Sequence, residues 1–366
     1  MNKKVAIVGA SGYSGEELVR LLLNHPHAEL TAVTSRSCAG RTIAQVLPRF
    51  ALQPRAKSLR FTEPNAERLA KQAETVFLAL PHGVAAEYAV PLLQRGCQVI
   101  DLSADFRVKN AAVYKEFHAH DHAAPDLLEK SVYGLPEIYR AQLKNAPLIA
   151  SPGCYPTSVL LPAIPLLRDG LVKPTGIIAD SLSGVSGAGR KLEPDYLFVE
   201  RNESARPYGV PKHRHLSEME QELSLAAKTP VTIQFTPHLI PMNRGILTTL
   251  YLAPAEHFQS RTGVSPVSGS SNSATLDQVA EKISACYQSA YGDEPFVRLL
   301  DPGQSELPDT RNVVGTNVIE IAWRLDPRTG RLVVMSALDN IVKGAGGQAV
   351  QSFNIMCGFP ETAGLV

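Results

Sequence analysis

The chain lacks any surplus of charge: 36 Lys and Arg stand against 35 Asp and Glu in 366 residues. That balance excludes the electrostatic footprint of a nucleic-acid binder or of a protein held on an anionic membrane, so anion recognition has to be local. Long hydrophobic runs are missing as well. No stretch of about 18 apolar residues occurs, and Met1-Asn2-Lys3-Lys4 leads into an apolar segment too short for a signal-peptide core. A soluble, cytoplasmic protein acting on a small molecule is expected, with neither nucleic acid nor membrane as partner. Cysteine is scarce: Cys38, Cys97, Cys154, Cys286 and Cys357 are odd in number, widely spaced and without a C-x-x-C pair. This argues against a disulfide framework and against a zinc site. His118, His120 and His122 stand two apart near acidic residues, yet nothing else supports a metal, and they read as a polar loop.

What is present is organised. At 44% hydrophobic, the chain exceeds what one core usually fills, so two domains are expected. The first 150 residues alternate apolar strand-type runs (Val5–Val8, Leu30–Val33, Thr75–Leu80, Gln98–Leu102) with helical patterns (Glu16–Leu23, Val84–Gln94). That alternation predicts an α/β fold, a Rossmann-type doubly wound parallel sheet with its ligands at the carboxyl ends of the strands. Beyond Cys154 the texture turns to longer β-type runs, Gly176–Ser181, Val231–Pro237, Ile246–Tyr251 and Asn317–Arg324, which predict a second, α+β domain. Ser260–Thr275, rich in Ser, Gly, Asn and Thr, reads as a solvent loop.

The first strand ends in Gly9-Ala10-Ser11-Gly12-Tyr13-Ser14-Gly15 and a helix follows. A glycine-rich turn there lets backbone approach a pyrophosphate seated on a helix N-terminus, although the G-x-x-G-x-x-G spacing departs from the G-x-G-x-x-G form. The end of the second strand, Thr34-Ser35-Arg36-Ser37, carries no carboxylate for a ribose hydroxyl. Two hydroxyls and a guanidinium suit a 2′-phosphate, so the expected cofactor is NADP(H), with Ser35 and Arg36 joining Gly9, Ser11, Gly12, Tyr13, Ser14 and Gly15. Ser183-Gly184-Val185-Ser186-Gly187-Ala188-Gly189-Arg190 is a second glycine-rich turn. Ser183, Gly184 and Gly187 are expected to offer donors to the cofactor, and Ser186 to face the substrate.

The chemistry centres on Ser151-Pro152-Gly153-Cys154-Tyr155-Pro156-Thr157, which sets a cysteine where a helix begins. Helix N-terminal amides and the macrodipole favour a thiolate, and the thiolate is the nucleophile. A nucleophilic cysteine together with a dinucleotide turn suggests reduction of an activated acyl group. The acid/base partner is sought in Lys212-His213-Arg214-His215-Leu216-Ser217-Glu218, His215 first and His213 second, ahead of a helix with an expected Ser217–Glu220 capping box. Glu218 is a candidate for substrate contact. Arg107, at the end of a strand in Asp101-Leu102-Ser103-Ala104-Asp105-Phe106-Arg107, is placed to pair with a carboxylate or phosphate, with Asp105 to orient it. His82, after another strand, reads first as a structural turn residue and second as a gate to cofactor entry. Pro162 and Pro165 predict a short or kinked helix after Cys154.

These motifs, together with Asp339-Asn340-Ile341-Val342-Lys343-Gly344-Ala345-Gly346-Gly347-Gln348-Ala349-Val350-Gln351, resemble those of the N-acetyl-γ-glutamyl-phosphate reductases, a branch of the aspartate-semialdehyde dehydrogenase superfamily. The resemblance runs over nearly the whole chain, with Ser217 where the family pattern has proline. It implies NADPH-dependent reduction of N-acetyl-glutamyl 5-phosphate to the semialdehyde through a thioester on Cys154, in arginine biosynthesis. It also implies cofactor contacts from Asn340 and Gly344, and a homodimer or homotetramer. The implied division is a nucleotide-binding domain of residues 1–153 and 339–366, and a catalytic and dimerisation domain of residues 154–338. Other readings of the same residues are an aspartate-semialdehyde dehydrogenase, a reductase of carrier-bound aminoacyl phosphates, and, outside enzymes, an NADP-sensing binding protein.

Overall fold

The computed structural model describes residues 2–190, 192–255 and 276–366; the expected loop Ser260–Thr275 lies outside the described residues. The chain divides into two compact units. One comprises Met1–Cys154, Ser186–Leu192 and Ile341–Val366, the other Tyr155–Val185 and Glu193–Asn340. No helix among the described residues is long and apolar enough to cross a membrane.

The first unit is built on a seven-stranded sheet from β1 (Lys3–Val8), β2 (Ala28–Thr34), β3 (Phe61–Thr62), β4 (Thr75–Leu78), β5 (Gln98–Asp101), β6 (Val132–Tyr133) and β7 (Leu148–Ala150). Every pairing is parallel, in the order β3-β2-β1-β4-β5-β7-β6. Alternation along β1 explains the double winding. Val5 and Ile7 enter a core with Leu18, Leu22, Val350 and Phe353, while Ala6 and Val8 enter another with Val76, Leu78, Ala89 and Leu92. The order reverses between β1 and β4, so the turns after these two strands flank the switch point where doubly wound sheets bind ligands. The first helix is Tyr13–Leu23, three residues longer at its start than expected, because Gly12 serves as its N-cap.

The second unit carries β8 (Ile177–Ser183), β9 (Arg206–Pro207), β10 (Ile233–Leu239), β11 (Ile246–Leu252), β12 (Val297–Leu299), β13 (Ile319–Asp326) and β14 (Arg331–Leu338). They form a mixed sheet in the order β12-β13-β14-β11-β8-β10-β9. In β8 and β11 buried and half-buried residues alternate, as one face packed by helices demands.

The helix after Cys154 corrects an expectation. It runs fifteen residues, Cys154–Arg168, through both prolines. Pro162 and Pro165 withdraw the N–H groups that would pair with the carbonyls of Ser158 and Leu161. Those carbonyls accept instead from Ser336 Oγ at 2.7 Å and Tyr291 Oη at 2.6 Å, and Tyr287 Oη donates to Pro162 O at 2.7 Å. Tertiary hydroxyls replace the missing helical bonds, so the helix is neither short nor broken.

Candidate active site

Cys154 is the first residue of that helix and is half-buried. The strand β7 and the turn Ser151-Pro152-Gly153 lead into it, so Cys154 stands at a helix N-terminus, where the amides of the first turn favour negative charge. The other cysteines have different surroundings. Burial and then Asp169 push the Cys286 thiol up to about 12, burial pushes Cys357 up to about 11, and burial raises Cys97. These three are packing residues.

Tyr155, which the sequence reading passed over, organises the histidine cluster of the second unit. Its ring meets His213 edge-on at 5.7 Å, His215 at 5.9 Å and Phe235 at 5.2 Å, and its hydroxyl accepts from Tyr208 Oη at 3.0 Å. Only its position next to Cys154 could have signalled this. His215 opens the helix His215–Ala227, and the two imidazoles lie 4.8 Å apart. His215, Glu218 and Glu222 are buried and share one helical face through their i, i+3, i+7 spacing. The expected capping box does not form. Ser217 sits inside the helix and donates to Arg214 O at 2.9 Å, while Glu220 accepts from Ile233 N at 3.1 Å. His215 at the first helical position displaces Ser217 from the cap.

The two histidines are not equivalent. His213 Nδ1 accepts from His215 N at 3.1 Å, which leaves the ring proton on Nε2. Burial, and secondarily the Arg214 charge, push His213 down to about 4. It is therefore neutral at pH 7. The sign for stability follows: the unfolded chain binds this proton below about 6.5 and the folded chain only near 4, so the contribution is complete above pH 6.5 and is lost as pH falls toward 4. The shift amounts to about 3 kcal/mol. His213→Asn keeps an acceptor for His215 N and lacks the titration. Urea denaturation at pH 7.5 and pH 4 should show wild type losing about 3 kcal/mol relative to this variant; an unchanged difference would mean the imidazole is not held neutral.

The nucleotide side of the first unit fits a dinucleotide phosphate. Gly9 has φ +85°, and a Cβ there would lie 2.2 Å from Ala79 O; a Cβ on Gly15 would lie 2.3 Å from Gly9 O. Only glycine closes this turn on the N-terminus of the helix Tyr13–Leu23. Ser11 and Ser35 hydroxyls meet at 2.8 Å, joining the turn to the tip of β2, and Ser35 also reaches Ser37 at 3.3 Å. No carboxylate occupies this tip (Thr34–Ser37), and Arg36 is exposed, its Nη2 3.5 Å from Tyr88 Oη. Ser14 lies in the first helical turn. Arg190, which sequence reading left unassigned, stacks on Tyr13 at 4.9 Å and pairs with Glu16, so Ser186, Gly187 and Arg190 belong to the nucleotide unit.

At Gly184 the expected free donor is absent. Its N–H is given to Gly245 O at 2.9 Å, and a Cβ would lie 2.7 Å from Asn243 backbone. This glycine allows close packing of the 242–245 turn. Ser183 is buried, and its hydroxyl donates to Gly184 O at 3.0 Å. Asn340 is buried, with Oδ1 accepting from Gly245 N at 2.8 Å. Gly344 is buried in a π-helical turn, Val342–Gly346, closed by Gly346 N to Ile341 O at 2.8 Å. Arg107 is buried with Nη2 donating to Leu102 O at 2.9 Å. Of the three histidines expected in a polar loop, His118 is instead the last residue of the helix Ala111–His118, and His120 and His122 follow it; all three gather around Tyr114, with His118 stacked at 4.4 Å. Among the described residues no group of three His, Cys, Asp or Glu side chains is arranged to hold a metal ion.

Two family models match: the semialdehyde dehydrogenase NAD binding domain over residues 4–146 and the semialdehyde dehydrogenase dimerisation domain over residues 154–340. The chain is 52% identical to an N-acetyl-gamma-glutamyl-phosphate reductase from Akkermansia muciniphila, covering 99% of this chain and 98% of that one. It is 48% identical to the Desulfotalea psychrophila protein of the same name, covering 99% and 97%. The crystal structure of aspartate semialdehyde dehydrogenase II from Vibrio cholerae shares the fold, with a TM-score of 0.69 at 17% identity over 97% of this chain and 98% of that one.

Proposed function

The chain belongs to the semialdehyde dehydrogenase family, in its N-acetyl-γ-glutamyl-phosphate reductase branch, and from that premise we propose that it reduces N-acetyl-L-glutamyl 5-phosphate to the 5-semialdehyde with release of phosphate, a step of arginine biosynthesis. The near full-length identity to proteins of that name carries the substrate. The nucleophile stands on Cys154 at a helix start, one residue before the tyrosine that both histidines touch.

His215 takes the Cys154 proton, and the sulfur attacks the acyl carbon. The bond from that carbon to the phosphate oxygen breaks, leaving a thioester and free phosphate, whose charge Arg107 is suited to hold. NADPH, when bound, supplies the hydride that reduces this thioester. His215 then gives its proton to the oxyanion and takes it back as the thiohemiacetal collapses: the C–S bond breaks, the aldehyde forms, and the proton passes from His215 to the Cys154 sulfur. His213, neutral at pH 7, fixes His215 through its accepted backbone N–H rather than moving a proton. His215→Gln should lower turnover roughly 10²-fold with little change in KM. Glu218 and Ser186 remain the proposed substrate contacts.

For the cofactor, Gly9, Ser11, Gly12, Tyr13, Ser14 and Gly15 would hold the pyrophosphate, Ser35 and Arg36 the 2′-phosphate. Gly187, Asn340 and Gly344 are the further cofactor contacts proposed. Arg36→Ala should raise the KM for NADPH roughly tenfold and leave that for NADH unchanged, since only the former carries the phosphate. An unaltered NADPH KM would remove Arg36 from the site.

The whole reading is tested in reverse: phosphate-dependent reduction of NADP by N-acetylglutamate semialdehyde, against aspartate semialdehyde. Preference for the acetylated substrate supports it, and preference for the shorter one refutes it. A homodimer or homotetramer through the second unit is the proposed assembly, supported by the dimerisation model it matches; mass from light scattering distinguishes the two from each other and from a monomer.

A further inference from the structure

Two turns at the carboxyl ends of adjacent strands in the first unit are tied to each other in both directions. β4 and β5 pair in parallel; β4 leads into Pro81-His82-Gly83 and β5 into Ser103–Arg107. Asp105, buried, accepts from Gly83 N at 2.7 Å through Oδ1 and from Ala85 N at 2.9 Å through Oδ2. Tyr114 Oη donates to the same carboxylate at 3.3 Å. In return, Ala104 N donates to His82 Nδ1 at 3.0 Å. Behind Asp105, its own N–H reaches Ser103 Oγ at 3.1 Å, and Ser103 donates to Asp101 through Oγ at 2.8 Å and through N at 2.9 Å. Two residues on, Arg107 leaves this turn, its Nη2 bonded to Leu102 O.

We propose that Asp105 and His82 form a clasp that positions Arg107 for the anionic end of the substrate and the Pro81–Gly83 turn beside the nucleotide. This rests on the reading of Arg107 given above. Asp105 is a positioning residue, since each of its three bonds serves another element rather than a ligand. Its chemistry is specific: three donors converge on two oxygens, and an asparagine would turn an NH₂ group toward one of them. His82 enters the clasp as an acceptor at the Nδ1 position, which asparagine Oδ1 reproduces, while its ring also meets His118 at 6.1 Å.

The experiment compares Asp105→Asn, His82→Ala and His82→Asn with wild type, folding being checked by circular dichroism. Asp105→Asn should raise the KM for phosphate in the reverse reaction about tenfold and change kcat far less, because a displaced guanidinium weakens binding before chemistry. His82→Ala should move the same constant in the same direction, and His82→Asn should restore most of it. If kcat falls together with stability while the KM for phosphate stays at the wild-type value, and His82→Asn is no better than His82→Ala, the residues are merely structural and the clasp is overturned. Calorimetric titration with inorganic phosphate reads the clasp without turnover. Weaker binding by Asp105→Asn sustains it even if the acetylglutamyl substrate proves wrong, and equal binding refutes it. Should Asp105→Asn fail to fold, the His82 pair decides by the same constant.

Discussion

Cys154→Ser loses turnover by roughly 10³-fold or more while NADPH binding stays at the wild-type value. The serine keeps the size and position of the side chain at the head of the helix Cys154–Arg168. What it lacks is an ionisable sulfur: a thiol supplies a few per cent of thiolate at neutral pH, and a hydroxyl supplies essentially none. The difference falls on the bond-forming step, so it is read in kcat and in the absence of any acyl-enzyme burst. Alkylation gives the complementary view. Iodoacetamide should label Cys154 first, with half-buried Cys38 slower, while Cys97, Cys286 and Cys357 are spared because their environments raise them. Retention of activity within tenfold by the serine variant, or labelling led by another cysteine, would move the nucleophile elsewhere.

Lys343→Met destabilises the protein by about 3–5 kcal/mol, a separate consequence of burial. Lys343 and Glu137 form an ion pair with both side chains fully buried. Gln351 bonds to both, accepting from Lys343 at 2.8 Å and donating to Glu137 at 3.0 Å, and reaches Glu361 at 2.8 Å. Glu361 in turn holds Arg140 through two bonds of 3.1 Å. Burial pushes the Glu137 carboxyl up, but the Lys343 charge and the bonds from Lys343 and Gln351 outweigh it and hold the group below the usual carboxylate range. Removing Lys343 leaves that carboxylate buried without its cation. Since the folded-state value is depressed, the pair's contribution is present above pH 4.5 and fades as pH falls through the lowered value, so the loss in the variant should shrink in acid. The double variant Lys343→Met with Glu137→Leu should recover most of the stability, because a buried apolar pair replaces a buried ionic one at little net cost. Urea denaturation of the four proteins checks this; a single-variant loss under about 1 kcal/mol, or no recovery in the double variant, would contradict it.

Local patterns made much of the architecture legible. The strand-turn-helix around Gly9–Gly15 and the apolar strand-type runs alternating with helical patterns in the first unit require only neighbouring residues, and they predicted the doubly wound sheet. Short edge strands such as β3 and β6, two residues each, carry no periodicity and were missed. So was β14, although its alternating burial is regular, because Arg331-Leu332-Val333-Val334-Met335 mixes apolar residues on both faces. The capping box at Ser217 failed because a serine three residues before a glutamate matches a pattern that the start of the helix at His215 overrides.

By itself, then, the sequence determined the parallel first sheet, the cysteine at a helix start and the absence of a carboxylate at the tip of β2, all of which are written in residues a few positions apart. The tertiary structure decided which groups keep their protons and which partners they meet. His213 is indistinguishable from His215 by residue type, yet its Nδ1 accepts the His215 backbone N–H. Glu137 and Lys343 lie 206 residues apart. The prolines at 162 and 165 look like helix breakers until Ser336 and Tyr291 take the carbonyls they expose. Desolvation and long-range hydrogen bonding depend on what surrounds a side chain in space, and a linear pattern does not contain that environment.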